Sequence, residues 1–117
     1  MRSLLFPSFL MLLAITGNEK LIGRWESPVS PKGNITGVIF RADSTFDAYV
    51  NNKPFTSGPY KLKNDTFSFT DNGCDGKQGI YKIIFFSNED SLRFQPIDDP
   101  CEERKNGMSK LILGRKK

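Results

Sequence analysis

Tyr60-Lys61-Leu62-Lys63-Asn64-Asp65-Thr66-Phe67-Ser68-Phe69-Thr70 alternates apolar and polar residues on both sides of Asn64-Asp65. Successive side chains of an extended strand point to opposite faces, so a period of two places Tyr60, Leu62, Phe67 and Phe69 on one face. Asn and Asp accept the tight backbone of a turn, so Asn64-Asp65 reads as the bend between two strands. The stretch predicts a β-hairpin with one apolar side and one wet side.

The same period continues in both directions. Leu21, Gly23 and Trp25 share one face, as do Val38, Phe40 and Ala42, and then Phe46, Ala48 and Val50. Downstream, Tyr81, Ile83 and Phe85, then Leu92 and Phe94, then Leu111, Leu113 and Arg115 repeat it. This gives eight expected strands, near 20–27, 35–42, 45–50, 58–63, 66–70, 79–86, 91–96 and 110–115. Turn chemistry separates them at 31–34, 42–44, 51–54, 64–65, 71–73 and 88–90. Outside the N-terminal apolar stretch no segment shows an apolar 3.6 period long enough for a helix, and residues 97–110 are the longest region without a clear strand pattern. Short links between many strands favour an all-β, eight-stranded, antiparallel up-and-down barrel, because closure removes the exposed edges. Residues 51–58 and 97–109 are expected to be its long loops.

The chain has 117 residues, ten of them Phe, enough for one domain with an aromatic core. Its first 17 residues stand apart. Met1-Arg2 supplies a positive start, residues 4–15 are mostly apolar, and Gly17 is a small residue at a cleavage position. That is the build of a secretory signal peptide. A membrane anchor is the alternative, but the run is too short to span and Pro7 interrupts it. Ile15-Thr16-Gly17 is similar to the lead-in of a lipoprotein cleavage site, yet Asn18 stands where the lipidated Cys would be. The expectation is therefore a soluble, secreted or periplasmic domain over 18–117, a monomer with no membrane span.

Cleavage near Gly17 removes Arg2 and no acid, which lowers the formal charge of +4 by one. The remaining charges are interspersed apart from the tail Arg115-Lys116-Lys117, so no nucleic-acid partner is expected. Cys74 and Cys101 are the two cysteines of the chain. In an oxidising compartment such a pair forms a disulfide, and the spacing is too wide for a two-thiol metal or redox motif. No His is present, which removes the commonest general base and the usual zinc ligand. No catalytic residue, metal site or cofactor is assigned, and the chain is expected not to be an enzyme. Asp98, Asp99, Glu102 and Glu103 admit a hard cation or, more simply, a solvated loop. Asp99 before Pro100 has the chemistry of a turn cap, and Arg104 that of a partner for one of these acids or a cover for the barrel mouth.

Gly23-Arg24-Trp25 at the start of the first mature strand resembles the Gly-X-Trp signature of the calycin superfamily, the lipocalins and their relatives. In that group the Trp lies at the closed end of the barrel and a basic residue of the last strand packs across its ring. The resemblance gives Arg115 that role, with Gly23, Trp25 and Arg115 as the barrel floor. Cys74, Gly79-Ile80-Tyr81, Leu92-Arg93-Phe94 and Asp99-Pro100-Cys101 with Arg104 resemble small exported bacterial lipocalin-like proteins. Such an origin implies that the sequons at Asn34 and Asn64 stay unmodified. The loop near 28–34 is too short for the helical lid that some relatives carry between their first two strands.

The interior has two readings. Phe40, Phe46, Tyr60, Phe67, Phe69, Tyr81, Phe85 and Phe94, with Trp25, either pack solidly or line an apolar pocket where tyrosine hydroxyls fix a ligand's polar end. The resemblance implies reversible binding of a small hydrophobic ligand. A filled barrel would instead act through its loops, on an envelope protein partner or as an inhibitor of an extracellular enzyme.

Overall fold

A computed structural model describes residues 18–117, and the expected signal peptide lies outside them. Eight antiparallel strands close into a barrel, each paired with its neighbours in chain order. They are β1 (Gly23–Glu26), β2 (Thr36–Phe40), β3 (Thr45–Val50), β4 (Lys53–Lys63), β5 (Thr66–Phe69), β6 (Gly79–Phe86), β7 (Ser91–Asp98) and β8 (Ile112–Arg115). The seam between β8 and β1 pairs Arg115 with Trp25 and Gly114 with Glu26. The eight-stranded up-and-down architecture expected from the sequence is the one observed.

Period-two burial follows the expected faces. Phe46 and Ala48 of β3, Phe67 and Phe69 of β5, Tyr81 and Ile83 of β6, and Leu92 and Phe94 of β7 are buried. Asn51-Asn52 and Asn64-Asp65 both take positive φ, 53° and 65° in the first pair and 51° and 67° in the second. Two left-handed residues in a row are what a tight hairpin needs to match strand twist, and Asn and Asp accept them most readily after Gly.

Two segments differ from expectation. β4 begins at Lys53 and runs for eleven residues, so 53–58 is strand and not a contact loop. Its upper half pairs with β3 and its lower half, from Tyr60, pairs with β5. Pro54 and Pro59 are tolerated because that upper half has no ladder on its β5 side. Within 97–109, β7 extends to Asp98 and residues Glu102–Lys110 form an α-helix, α1. No helix occupies the β1–β2 connection, as expected, but α1 covers the barrel from between β7 and β8.

The alternation of strand direction places the turns at 41–44, 64–65 and 87–90 at one end of the barrel, with the 3-10 turn Asn18–Lys20. This end is the floor. The connections at 27–35, 51–52 and 70–78, and α1, lie at the other, the lid end. Among the described residues, no helix is long and apolar enough to cross a membrane.

Candidate functional site: a half-hollow barrel under a short helix

The floor is filled. Leu21, Trp25, Ile83, Leu92 and Leu113 are essentially inaccessible to solvent there. Trp25 donates its indole N–H to the Leu21 carbonyl at 2.9 Å, and the Arg115 guanidinium lies 4.3 Å from the ring centroid. Arg115 also donates to the carbonyls of Lys20 (2.6 Å) and Glu89 (3.2 Å), which gathers the N-terminal turn and the β6–β7 turn beneath the indole. Gly23 has φ +129°, a backbone that side-chain-bearing residues rarely adopt, and a Cβ there would sit 3.7 Å from Arg115 Nη1. The Gly-X-Trp spacing therefore has a local cause: the glycine permits the bend that brings the Trp under the arginine.

Above the floor the rings form one aromatic cluster. Phe67 is its hub, with centroid distances of 5.7 Å to Phe40, 5.5 Å to Tyr60, 5.4 Å to Phe69 and 5.6 Å to Phe94. Tilted and edge-on pairs at these separations are the favoured arrangements for aromatic quadrupoles.

Between this cluster and the lid end is a cavity of about 300 Å³. Its walls are Thr36, Val38 and Phe40 of β2, Phe46, Ala48 and Val50 of β3, Phe55 and Thr56 of β4, and Phe67, Phe69 and Phe94. Its roof is Arg104, Gly107 and Met108 of α1 with Leu111, and Asp71 and Glu103 stand at the rim. The small side chain of Ala48, set among Phe residues, leaves room that a larger residue would fill. Of the nine interior residues expected to line a pocket, Phe40, Phe46, Phe67, Phe69 and Phe94 do so. Trp25 and Phe85 do not: their rings pair at 6.3 Å in the floor, where Lys20 Nζ covers Phe85. Tyr60 and Tyr81 are also outside the lining, and their hydroxyls hold no ligand position. Tyr60 donates to the Arg41 carbonyl at 2.9 Å and Tyr81 to the Asp99 carboxylate. Burial, with Asp43 nearby, raises the Tyr60 phenol above its ordinary value.

Asp99 is the buried anchor of the lid. Its side chain is 0% exposed, and Arg104 meets it with Nε and Nη2, each at 2.9 Å. The Cys101 amide donates at 2.9 Å to Asp99 Oδ1, the oxygen that also accepts from Arg104 Nη2, as expected for a turn cap. Burial alone would raise the Asp99 carboxyl, but hydrogen bonds from Arg104, Tyr81 and the Cys101 amide prevail and hold it below the ordinary range. Burial and the bond to Asp99 push the Tyr81 phenol well above its usual value. Arg104 continues to Asp71 Oδ1 at 3.3 Å and the Lys77 carbonyl at 2.9 Å, and lies 4.9 Å over the Phe69 ring. It thus both pairs with an acid and covers the barrel mouth, the two roles open to it from the sequence. Asp98, Glu102 and Glu103 stay exposed and do not gather around Asp99. A Cβ at Gly79 would sit 3.0 Å from both Arg104 Nη2 and Asp99 Oδ2, so any side chain there would crowd this pair.

Cys74 and Cys101 are joined, with Cα atoms 5.8 Å apart. The bridge ties the start of α1 to the β5–β6 connection and fits a non-reducing setting. Closing a loop of this length contributes about 3–4 kcal/mol on the chain-entropy account.

No family model and no curated protein matches the chain.

Two residues of the lid end escaped the sequence reading. Phe55 and Ile97 are each the unpaired extra residue of a β-bulge, in β4 opposite Ala48/Tyr49 and in β7 opposite Ile80/Tyr81. Phe55 is 70% exposed while also lining the cavity. A bulge re-aims a side chain out of strict alternation, so a period-two pattern cannot announce it.

Proposed function

We propose that this protein is an exported, lipocalin-like binder that holds a small hydrophobic molecule reversibly in the upper half of its barrel. The observation that carries this reading is the cavity of about 300 Å³, walled by Phe side chains and aliphatic residues beneath α1. That is the lower end of the size range of small-molecule pockets, and an apolar wall with a few polar rim groups is their usual make-up. The driving force is apolar burial, about 25 cal/mol per Å² removed from water. The Trp25–Arg115 stack and the eight-strand closure support kinship with the calycin barrels. The disulfide supports release into a secreted or periplasmic setting after cleavage near Gly17. No residue set earns a catalytic role in this reading.

Protein isolated from its own host should retain an apolar ligand in a native mass spectrum, and ligand-free protein should bind a neutral apolar dye. Ala48→Phe, which fills the cavity, should abolish dye binding while the circular dichroism of the barrel persists. A clean spectrum together with no dye binding would overturn the carrier reading.

A docking role at the envelope has one specific observation in its favour. Val29, Phe55, Ile97 and Ile112 are large, exposed and apolar, and all belong to the lid end or its strand ends. Capture of an envelope protein that is lost in Val29→Ser and Ile97→Ser, with dye binding retained, would favour that role.

A further inference from the structure

We infer that the cavity selects apolar amines over apolar carboxylates, an inference that rests on the carrier reading and names the class of ligand. Among the described residues, the charged groups that line the cavity are Asp71, Glu103 and Arg104. Arg104 is not free to receive an anion. Four of its five N–H groups are engaged, by Asp99 through Nε and Nη2, by the Lys77 carbonyl and by Asp71. The lining thus sets two carboxylates against one guanidinium, which Asp99 already holds from behind.

Asp71 points to the sign of the ligand. Its side chain is 10% exposed, and Oδ1 accepts from Arg104 at 3.3 Å and from the Gly73 amide at 3.1 Å. Oδ2 accepts no hydrogen bond from the described residues, and a carboxylate oxygen so little exposed usually has a donor. An ammonium supplies the missing donors and the missing positive charge. Phe55, which lines the same cavity and is largely exposed, offers an aromatic face that a cation favours. A carboxylate head would meet Asp71 and Glu103 with like charge and find no free cation in the lining. The cavity equals about ten water volumes at about 30 Å³ each, the scale of an eight-carbon chain.

Isothermal calorimetry with octylammonium, 1-octanol and octanoate at neutral pH and low salt tests this. Octylammonium is expected to bind about tenfold more tightly than octanoate, with the ratio shrinking as salt screens the rim. In Asp71→Asn the ratio should fall to within about threefold, and Glu103→Gln, at an exposed helix position, should reduce it by a smaller factor. Octanoate binding as tightly as octylammonium would overturn the inference and leave the carrier reading standing. A ratio unchanged in both variants would also overturn it. If none of the three probes binds to protein with an intact fold, the carrier reading fails together with the preference.

Discussion

Arg115 lies 4.3 Å over the ring of Trp25, and the two residues are also backbone partners across the seam that closes the barrel. One arginine therefore acts on closure twice, through the β8–β1 ladder and through the face of a fully buried indole. Replacing it by Leu removes the stack and the bonds to Lys20 and Glu89, but leaves an aliphatic side chain over the ring. The expected loss is about 1–3 kcal/mol of unfolding free energy in urea, with Arg115→Lys losing less. A Leu variant as stable as wild type would show that the ladder alone holds the seam.

The Asp99–Arg104 pair makes a different forecast, because both side chains are nearly inaccessible. Arg104→Met strands a buried carboxylate and should cost about 3–5 kcal/mol. Adding Asp99→Asn to that variant removes the stranded charge, so the double variant should be more stable than Arg104→Met alone. Chemical denaturation of the four proteins in the cycle measures the coupling, and a coupling near zero would contradict the geometry.

Stability should fall at both ends of the pH scale, for separate reasons. Asp99 has a folded value below its unfolded one, so its contribution is complete above about pH 4 and is lost as pH falls through the folded value. Tyr81 has a folded value above its unfolded one, so its contribution is complete below about pH 10 and is lost as pH rises toward the folded value. Melting temperature followed against pH should show the acid arm flattened in Asp99→Asn and the alkaline arm flattened in Tyr81→Phe.

Reduction of Cys74–Cys101 should lower stability by about 3–4 kcal/mol and weaken dye binding, since it frees the start of the helix that roofs the cavity. Cys74→Ser with Cys101→Ser should match the reduced wild type in both measurements. Unchanged dye affinity would mean that Asp99 and Arg104 alone fix the roof.

Much of the barrel was legible because one physical rule, burial on alternate positions, repeats in every strand. The hairpin of Tyr60, Leu62, Phe67 and Phe69 pairs in register about Asn64-Asp65. The first residues of β4, 53–57, were not legible, since Asn51-Asn52-Lys53-Pro54 carries turn chemistry and only the one-sided pairing of that segment tolerates Pro54. The helix was hidden for another reason. Met108 is the lone large apolar residue of Glu102–Lys110, so no apolar stripe exists to detect. Glu102 and Glu103 in its first turn and Lys110 in its last were the available signal, the charge order that a helix dipole favours. At the site, the Phe lining followed from alternation. The resemblance carried by Gly23-Arg24-Trp25 already put Trp25 at the floor, but the place of Phe85 beside it depends on height along the barrel axis, which a period of two does not encode. Tyr81, Asp99 and Arg104 each drew notice singly, but their union joins β6, the β7 end and α1, and needs the folded chain.

The bonds that keep the ring shut cluster at the floor, whereas the hollow is walled by β2, β3, the upper part of β4 and α1. Substitutions at Val38, Ala48, Val50 or Met108 can therefore reshape what the molecule accepts without touching the clasp at Trp25. Such a separation makes the barrel a chassis: the floor can be left as it is while the upper lining is varied, and a designer wanting a new cargo has a short, defined set of positions to randomise.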